Sequence, residues 1–166
     1  MRMAVVILSL VVPVSLSANG VSDDFAAGFG GVRWGTDLAA LVEQFPGGYE
    51  EFSTAPGRVS YALNIDDPVL GIPRSGQYVI YGIGADGKVD SIQIQVAYDQ
   101  TALLLSTIKA KCGAARTLEV EGVVTTYSWS PDHGLGLSIR TTNNHVYGLT
   151  TLLIVKFSQT RSHKSS

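Results

Sequence analysis

Gln77-Tyr78-Val79-Ile80-Tyr81-Gly82-Ile83-Gly84-Ala85-Asp86-Gly87-Lys88-Val89-Asp90-Ser91-Ile92-Gln93-Ile94-Gln95-Val96-Ala97-Tyr98 reads as one β-hairpin. Asp-Gly between two runs of alternating apolar residues is among the strongest short hairpin signals, because both residues tolerate a positive φ. Ile92, Ile94, Val96 and Tyr98 alternate with Ser91, Gln93, Gln95 and Ala97, so one side of that strand is dry and the other wet. A two-residue Asp86-Gly87 loop would pair Tyr81 with Ile92 and Val79 with Ile94, placing all four on the core side. Tyr78 and Ile80 then stand beside Gln93 and Gln95 on the opposite side. A three-residue loop would reverse the parity and bury Tyr78.

Further strands extend outward from this hairpin. Val59, Tyr61, Leu63 and Ile65 alternate with polar or small residues, and residues 123–130 and 135–141 flank Pro131-Asp132-His133-Gly134 as a second hairpin. Tyr127 and Trp129 face Leu135, Leu137 and Ile139 there, while Thr126, Ser128, Ser138 and Arg140 point outward. Asn143-Asn144 predicts a turn, and Leu149 to Phe157 forms a closing strand. Two helices complete the set. The first opens at Gly35-Thr36-Asp37, where Thr36 or Asp37 can cap backbone N–H groups, and carries Leu38, Leu41, Val42 and Phe45 on one stripe. Trp34 is expected to pack beneath it. The second starts after Asp99, carries Leu104, Leu105, Ile108 and Cys112, and stops at Gly113. The fold class is therefore α+β: an antiparallel sheet with two helices packed on one face. Helix-then-four-strands occurs twice, so a tandem αβ4 duplication with half-repeats 32–98 and 99–158 is expected; at an offset of 66, Leu38 meets Leu104 and Tyr61 meets Tyr127.

The ends of the chain indicate export. Met1-Arg2-Met3 precedes the apolar run Ala4 to Val14, and small residues follow at Ser15, Ser17 and Ala18. A basic start, a short apolar run and a small-x-small exit make a secretory signal over residues 1–17. Ser15-x-Ser17 places cleavage after Ser17, and Ala18-x-Gly20 offers a second position after Gly20. The run is short of the ~20 apolar residues a spanning helix needs, so no stable membrane anchor is expected after cleavage, and the location is periplasmic or secreted. Residues 18–158 form a single α+β domain, and residues 159–166 a disordered tail. Hydrophobic residues at 45% against charged residues at 16% exclude disorder for the rest. A net charge of −2 with scattered Lys and Arg removes any electrostatic case for nucleic acid.

The opening Phe29-Gly30-Gly31-Val32-Arg33-Trp34-Gly35-Thr36 resembles a short phrase found at the start of many small exported bacterial domains, where an aromatic-Gly-Ser/Thr step leads into the first helix. The tandem order of a helix and four strands is similar to the secreted β-lactamase-inhibitor protein family and, more loosely, to small envelope-assembly lipoproteins. The resemblance covers the architecture and the eight residues of this phrase. The chain departs from both groups in lacking paired cysteines and a lipid-modified cysteine, and it carries over none of their binding residues.

No constellation for chemistry emerges from the residues. His133 sits in a turn, His145 follows Asn143-Asn144, and His163 is in the tail, whereas metal ligands need short, defined spacings. Asp66-Asp67-Pro68 suits a turn rather than a calcium loop, since Val69, Leu70 and Ile72 stand where oxygen ligands would be required. Asp23-Asp24 reads as a solvated flank. No serine lies in a Gly-x-Ser-x-Gly elbow, and no glycine loop precedes a helix as a phosphate cradle would. No enzyme activity, catalytic residue, metal or cofactor is therefore expected. The candidate binding residues are Tyr78, Ile80, Gln93 and Gln95, an aromatic and an aliphatic residue on a polar face; the competing placement buries Tyr78 and Ile80 under the other half of the molecule. The expected function is protein binding, as an inhibitor, an immunity-like protein or an envelope accessory factor, with another envelope or secreted protein as partner. Two alternatives stay open: a small hydrolase or metal-dependent enzyme using Asp132, His133 and His145, and a structural envelope domain that oligomerises through Cys112.

Overall fold

A computed structural model describes residues 20–52, 58–130, 134–144 and 148–158. The expected signal at 1–17 and tail at 159–166 lie outside the described residues, as do Asp132, His133, His145 and His163. In chain order the elements are α1 (Val21–Phe25), β1 (Gly28–Phe29), β2 (Val32–Arg33), α2 (Leu38–Gln44), β3 (Tyr49–Phe52), β4 (Val59–Asn64), β5 (Arg74–Ile83) and β6 (Val89–Val96). A 3-10 turn at Tyr98–Gln100 leads into α3 (Thr101–Cys112), followed by β7 (Thr117–Glu121), β8 (Val124–Trp129), β9 (Leu135–Asn144) and β10 (Gly148–Phe157). The fold is α+β. Eight strands form one antiparallel sheet in the order β3-β4-β5-β6-β10-β9-β8-β7, and β1 pairs with β2 apart from it. Two four-stranded meanders thus meet where β6 runs beside β10.

The β5–β6 hairpin pairs Tyr81 with Ile92 and Val79 with Ile94, as the alternation predicts, but by another turn. Gly84 N–H donates to the Lys88 carbonyl and Gly87 N–H to the Gly84 carbonyl, so the loop is three residues, Ala85-Asp86-Gly87, and not two. Gly87 takes the left-handed conformation at φ 77°, and Asp86 Oδ1 accepts from the Lys88 N–H. Such a loop should have reversed the parity. Asp90 prevents that: Ile83 pairs with Val89 and Gly82 with Ser91, so Asp90 is a bulge that restores the register one residue later. A compensating pair of irregularities gives the outcome of a regular turn.

The core lies on one side of the sheet. Val79, Tyr81, Ile92, Ile94, Ile139, Leu153 and Val155 are sealed from solvent, and Trp129 and Leu137 sit opposite each other in the same layer. Leu41 of α2, Leu104 and Ile108 of α3, and Val21 and Phe25 of α1 belong to the same buried cluster. Tyr81 Oη donates to the Phe29 carbonyl at 2.9 Å, tying β1 to the sheet, and Tyr61 Oη donates to the Phe45 carbonyl at 2.8 Å, tying down the end of α2. The start of α3 is held by a relay. Thr101 Oγ1 donates to the Tyr98 carbonyl at 2.6 Å, which leaves it to accept from the fully buried Thr151 of β10, also at 2.6 Å.

Several local expectations are corrected. Asp37 is the N-cap of α2 but makes no side-chain capping bond; its carboxylate turns to Lys88 at 3.7 Å. Asn143 and Asn144 are not a turn but the last pairs of β9, opposite Leu149 and Gly148. Trp34 stacks on Phe157 of β10, with ring centroids 5.4 Å apart, and donates to the Phe25 carbonyl at 2.6 Å. The turn expected at Asp66-Asp67-Pro68 is made instead by Leu70-Gly71, both at positive φ between the bridged residues Val69 and Ile72. Helix α1 was not anticipated, and Asp24 on it is more than a solvated flank: it accepts from Lys111 of α3 at 2.8 Å.

Candidate functional site

Strand parity assigns the second face of the sheet residue by residue. Across its middle run Tyr49, Ala62, Ile80, Gln93, Ile154, Ser138 and Ser128, each opposite the next on the neighbouring strand. The adjacent row holds Asn64 opposite Tyr78 on one half, and Gln95, Leu152, Arg140, Thr126 and Glu119 in succession on the other. The four residues expected to bind, Tyr78, Ile80, Gln93 and Gln95, therefore share this face, and all four are half-buried. The core-side residues beside them, Val79, Tyr81, Ile92 and Ile94, have no exposure at all.

The irregular pairing of β5 shapes this surface. Arg74 pairs with Val96 and Val79 with Ile94, so residues 75–78 of β5 span the length that Gln95 alone spans on β6. Gly76 lies against Gln95, where an added Cβ would come within 2.8 Å of the Gln95 Cβ. Freed from regular pairing on that side, Tyr78 meets Tyr49 of β3 edge to face, with centroids 5.1 Å apart and an 86° angle between rings. Tyr49 keeps 46% of its surface exposed, while Ala62 beside it has none. Gly82 is small for a comparable reason: the Ser91 hydroxyl crosses it, 2.2 Å from where a Cβ would stand.

Charge is distributed unevenly over the face. Arg140 and Lys156 stand exposed on β9 and β10, and neither forms an ion pair with a described residue. Asp90, on the bulge, accepts from Arg58 at 3.2 Å and from Ser91 Oγ at 2.9 Å. Glu119 and Glu121 line the β7 margin, where a groove also bounded by Thr126 and Arg140 opens. The shifted titrating groups lie elsewhere. Burial pushes the Tyr81 hydroxyl well above its usual range and raises the Cys112 thiol, the latter against small opposing effects of the Val21 backbone and Lys111.

Tyr49, Leu152 and Ile154 belong to the face but escaped the sequence reading. In the run Leu152-Leu153-Ile154-Val155 every residue is apolar, so a period of two assigns no side, and Tyr49 stands on a four-residue strand just past Pro46-Gly47-Gly48. Among the described residues, no group of three or more His, Cys, Asp or Glu side chains could hold a metal ion. No protein-family model, curated protein or solved structure matches this chain.

Proposed function

We propose that the chain is an exported binding module that recognises another envelope or secreted protein through the second face of its sheet, and performs no chemistry. The observation that carries this reading is the apolar centre of that face. Alternation normally leaves a non-core face polar, yet Tyr49, Tyr78, Ile80, Leu152 and Ile154 gather there around Gln93 and Gln95. A central aromatic and aliphatic cluster with a polar rim is the composition of an interface core. Arg140 and Lys156 beside the cluster favour a partner that offers an apolar loop flanked by acidic side chains, with the charges guiding approach more than adding affinity. The recurrence of one helix and four strands supports reading the domain as a duplicated αβ4 unit with its helices on the core side, which would leave the second face for contact.

A photo-crosslinking side chain tests the reading directly. Placed at Gln93 in the exported protein, it should trap a discrete protein adduct in the envelope that the same group at Leu103, exposed on α3, does not. Tyr78→Ala combined with Ile80→Asp should abolish that adduct while far-UV circular dichroism stays unchanged. An adduct that survives the double substitution would refute the assignment.

A further inference from the structure

Strand β7 is a margin of the sheet, hydrogen-bonded among the described residues only to β8, and each of its five residues is exposed. Such a margin turns a row of backbone N–H and C=O groups outward, the template for an added strand. Its side chains are sorted by face. Leu118 lies opposite Tyr127 and Val120 opposite Thr125, on the core side, yet they remain 60% and 69% exposed. Glu119 and Glu121 lie on the other face. Next to Leu118 the core side continues into an apolar cleft between α3 and β8, lined by Leu105, Ala115, Tyr127 and Trp129 with Lys109 at its rim. The apolar layer of the domain thus runs past α3 and ends at β7, where no described residue covers it.

We propose that β7 is a docking edge for an extended segment of a partner protein in which apolar residues alternate with lysine or arginine. Added beside β7, the segment sets its apolar side chains against Leu118 and Val120 and its cations opposite Glu119 and Glu121. Charge selects this occupant over a second copy of the chain. Antiparallel pairing of β7 with its own copy, with the faces kept continuous, brings the glutamates of both chains onto one face. In the register centred on Glu119 the two Glu119 side chains stand directly opposite, about 5 Å apart at Cβ, an unfavourable like-charge pair. A cationic strand turns the same two carboxylates into favourable cross-strand pairs. This surface is distinct from the Tyr78 face and does not depend on it.

The test uses the exported chain and two short synthetic peptides, one alternating lysine with valine and one with glutamate in place of lysine. The lysine peptide should bind, and it should slow amide hydrogen exchange at residues 117–121 ahead of all others. Glu119→Lys with Glu121→Lys, both on the exposed margin, should weaken the lysine peptide by about tenfold or more and let the glutamate peptide bind instead. Tyr78→Ala with Ile80→Asp should leave the lysine peptide bound, which separates this proposal from the one above. Equal affinity for both peptides would overturn it, as would protection concentrated away from 117–121. A dimer in sedimentation that Val120→Lys converts to a monomer would overturn it too, by assigning the edge to a second copy.

Discussion

Tyr81 shows how a single side chain joins the sheet to the segment before it. Its ring is sealed in the core and its hydroxyl donates to the Phe29 carbonyl, and burial raises its pKa far above the usual value of about 10. A tyrosine whose folded pKa is raised contributes stability that is complete below its unfolded pKa and is lost as pH climbs beyond it, because only the unfolded chain then releases the proton. Tyr81→Phe should cost about 1 kcal/mol at neutral pH, from the lost bond. It should also flatten the decline in stability above about pH 10. Denaturant titrations of both proteins from neutral to strongly alkaline pH measure this, and a difference that stays constant with pH would contradict it. The Cys112 thiol is raised in the same sense, so it should react slowly with alkylating reagents at pH 8 until the chain is unfolded. Gly28 tolerates no side chain: at φ 122° an added Cβ would stand 1.9 Å from the Val32 carbonyl oxygen, which belongs to rigid backbone. Gly28→Ala should therefore destabilise by roughly 1–3 kcal/mol from backbone strain, with the clash added, and lower the melting temperature accordingly.

The elements reveal where periodicity carries information and where it does not. Helix α3 was legible because burial acts on a period of 3.6: Leu104 and Ile108 are sealed, while Leu103, one residue before Leu104, is 51% exposed. Leu104→Ala should cost about 2–5 kcal/mol by leaving a cavity, and Leu103→Ala less than about 0.5 kcal/mol. Urea unfolding of the two variants checks this, and equal losses would mean the helix is rotated from the orientation described. The sides of β5 and β6 were legible for the same reason, since core burial fixes which residues turn inward whatever the turn does. The turn itself was not. The three-residue loop and the Asp90 bulge cancel each other, and neither leaves a trace in the apolar pattern. Strand β10 was illegible in side assignment because both its faces are apolar, one in the core and one at the candidate site. Of the candidate site, the half on β5 and β6 could be read from glutamines alternating with aliphatics. The half on β3 and β10 needed strand order, which depends on contacts between residues far apart in the chain.

At the scale of the molecule, the joint between β6 and β10 makes one sheet out of two meanders. Six residue pairs link these strands, from Thr151 opposite Val96 to Lys156 opposite Ser91, and the buried cluster runs across them without interruption. The relay from Thr151 through Thr101 to the Tyr98 carbonyl fastens the helix that connects the meanders to the same joint. Opening either meander alone would expose Ile92 and Ile94 on one side or Leu153 and Val155 on the other, so the centre should open only when everything does. The margin is built differently, with β7 exposed at every residue and paired on one side among the described residues. Native-state hydrogen exchange should accordingly show a gradient. Amides of Ile92, Ile94, Leu153 and Val155 should exchange with a free energy equal to that of global unfolding and fall with denaturant along the same slope. Amides of Leu118 and Val120 should exchange through small openings, at lower free energy and almost without denaturant dependence. If the amides fell instead into two plateaus, one for β3 to β6 and another for β7 to β10, the meanders would be unfolding independently and the β6–β10 joint would not be what unites them.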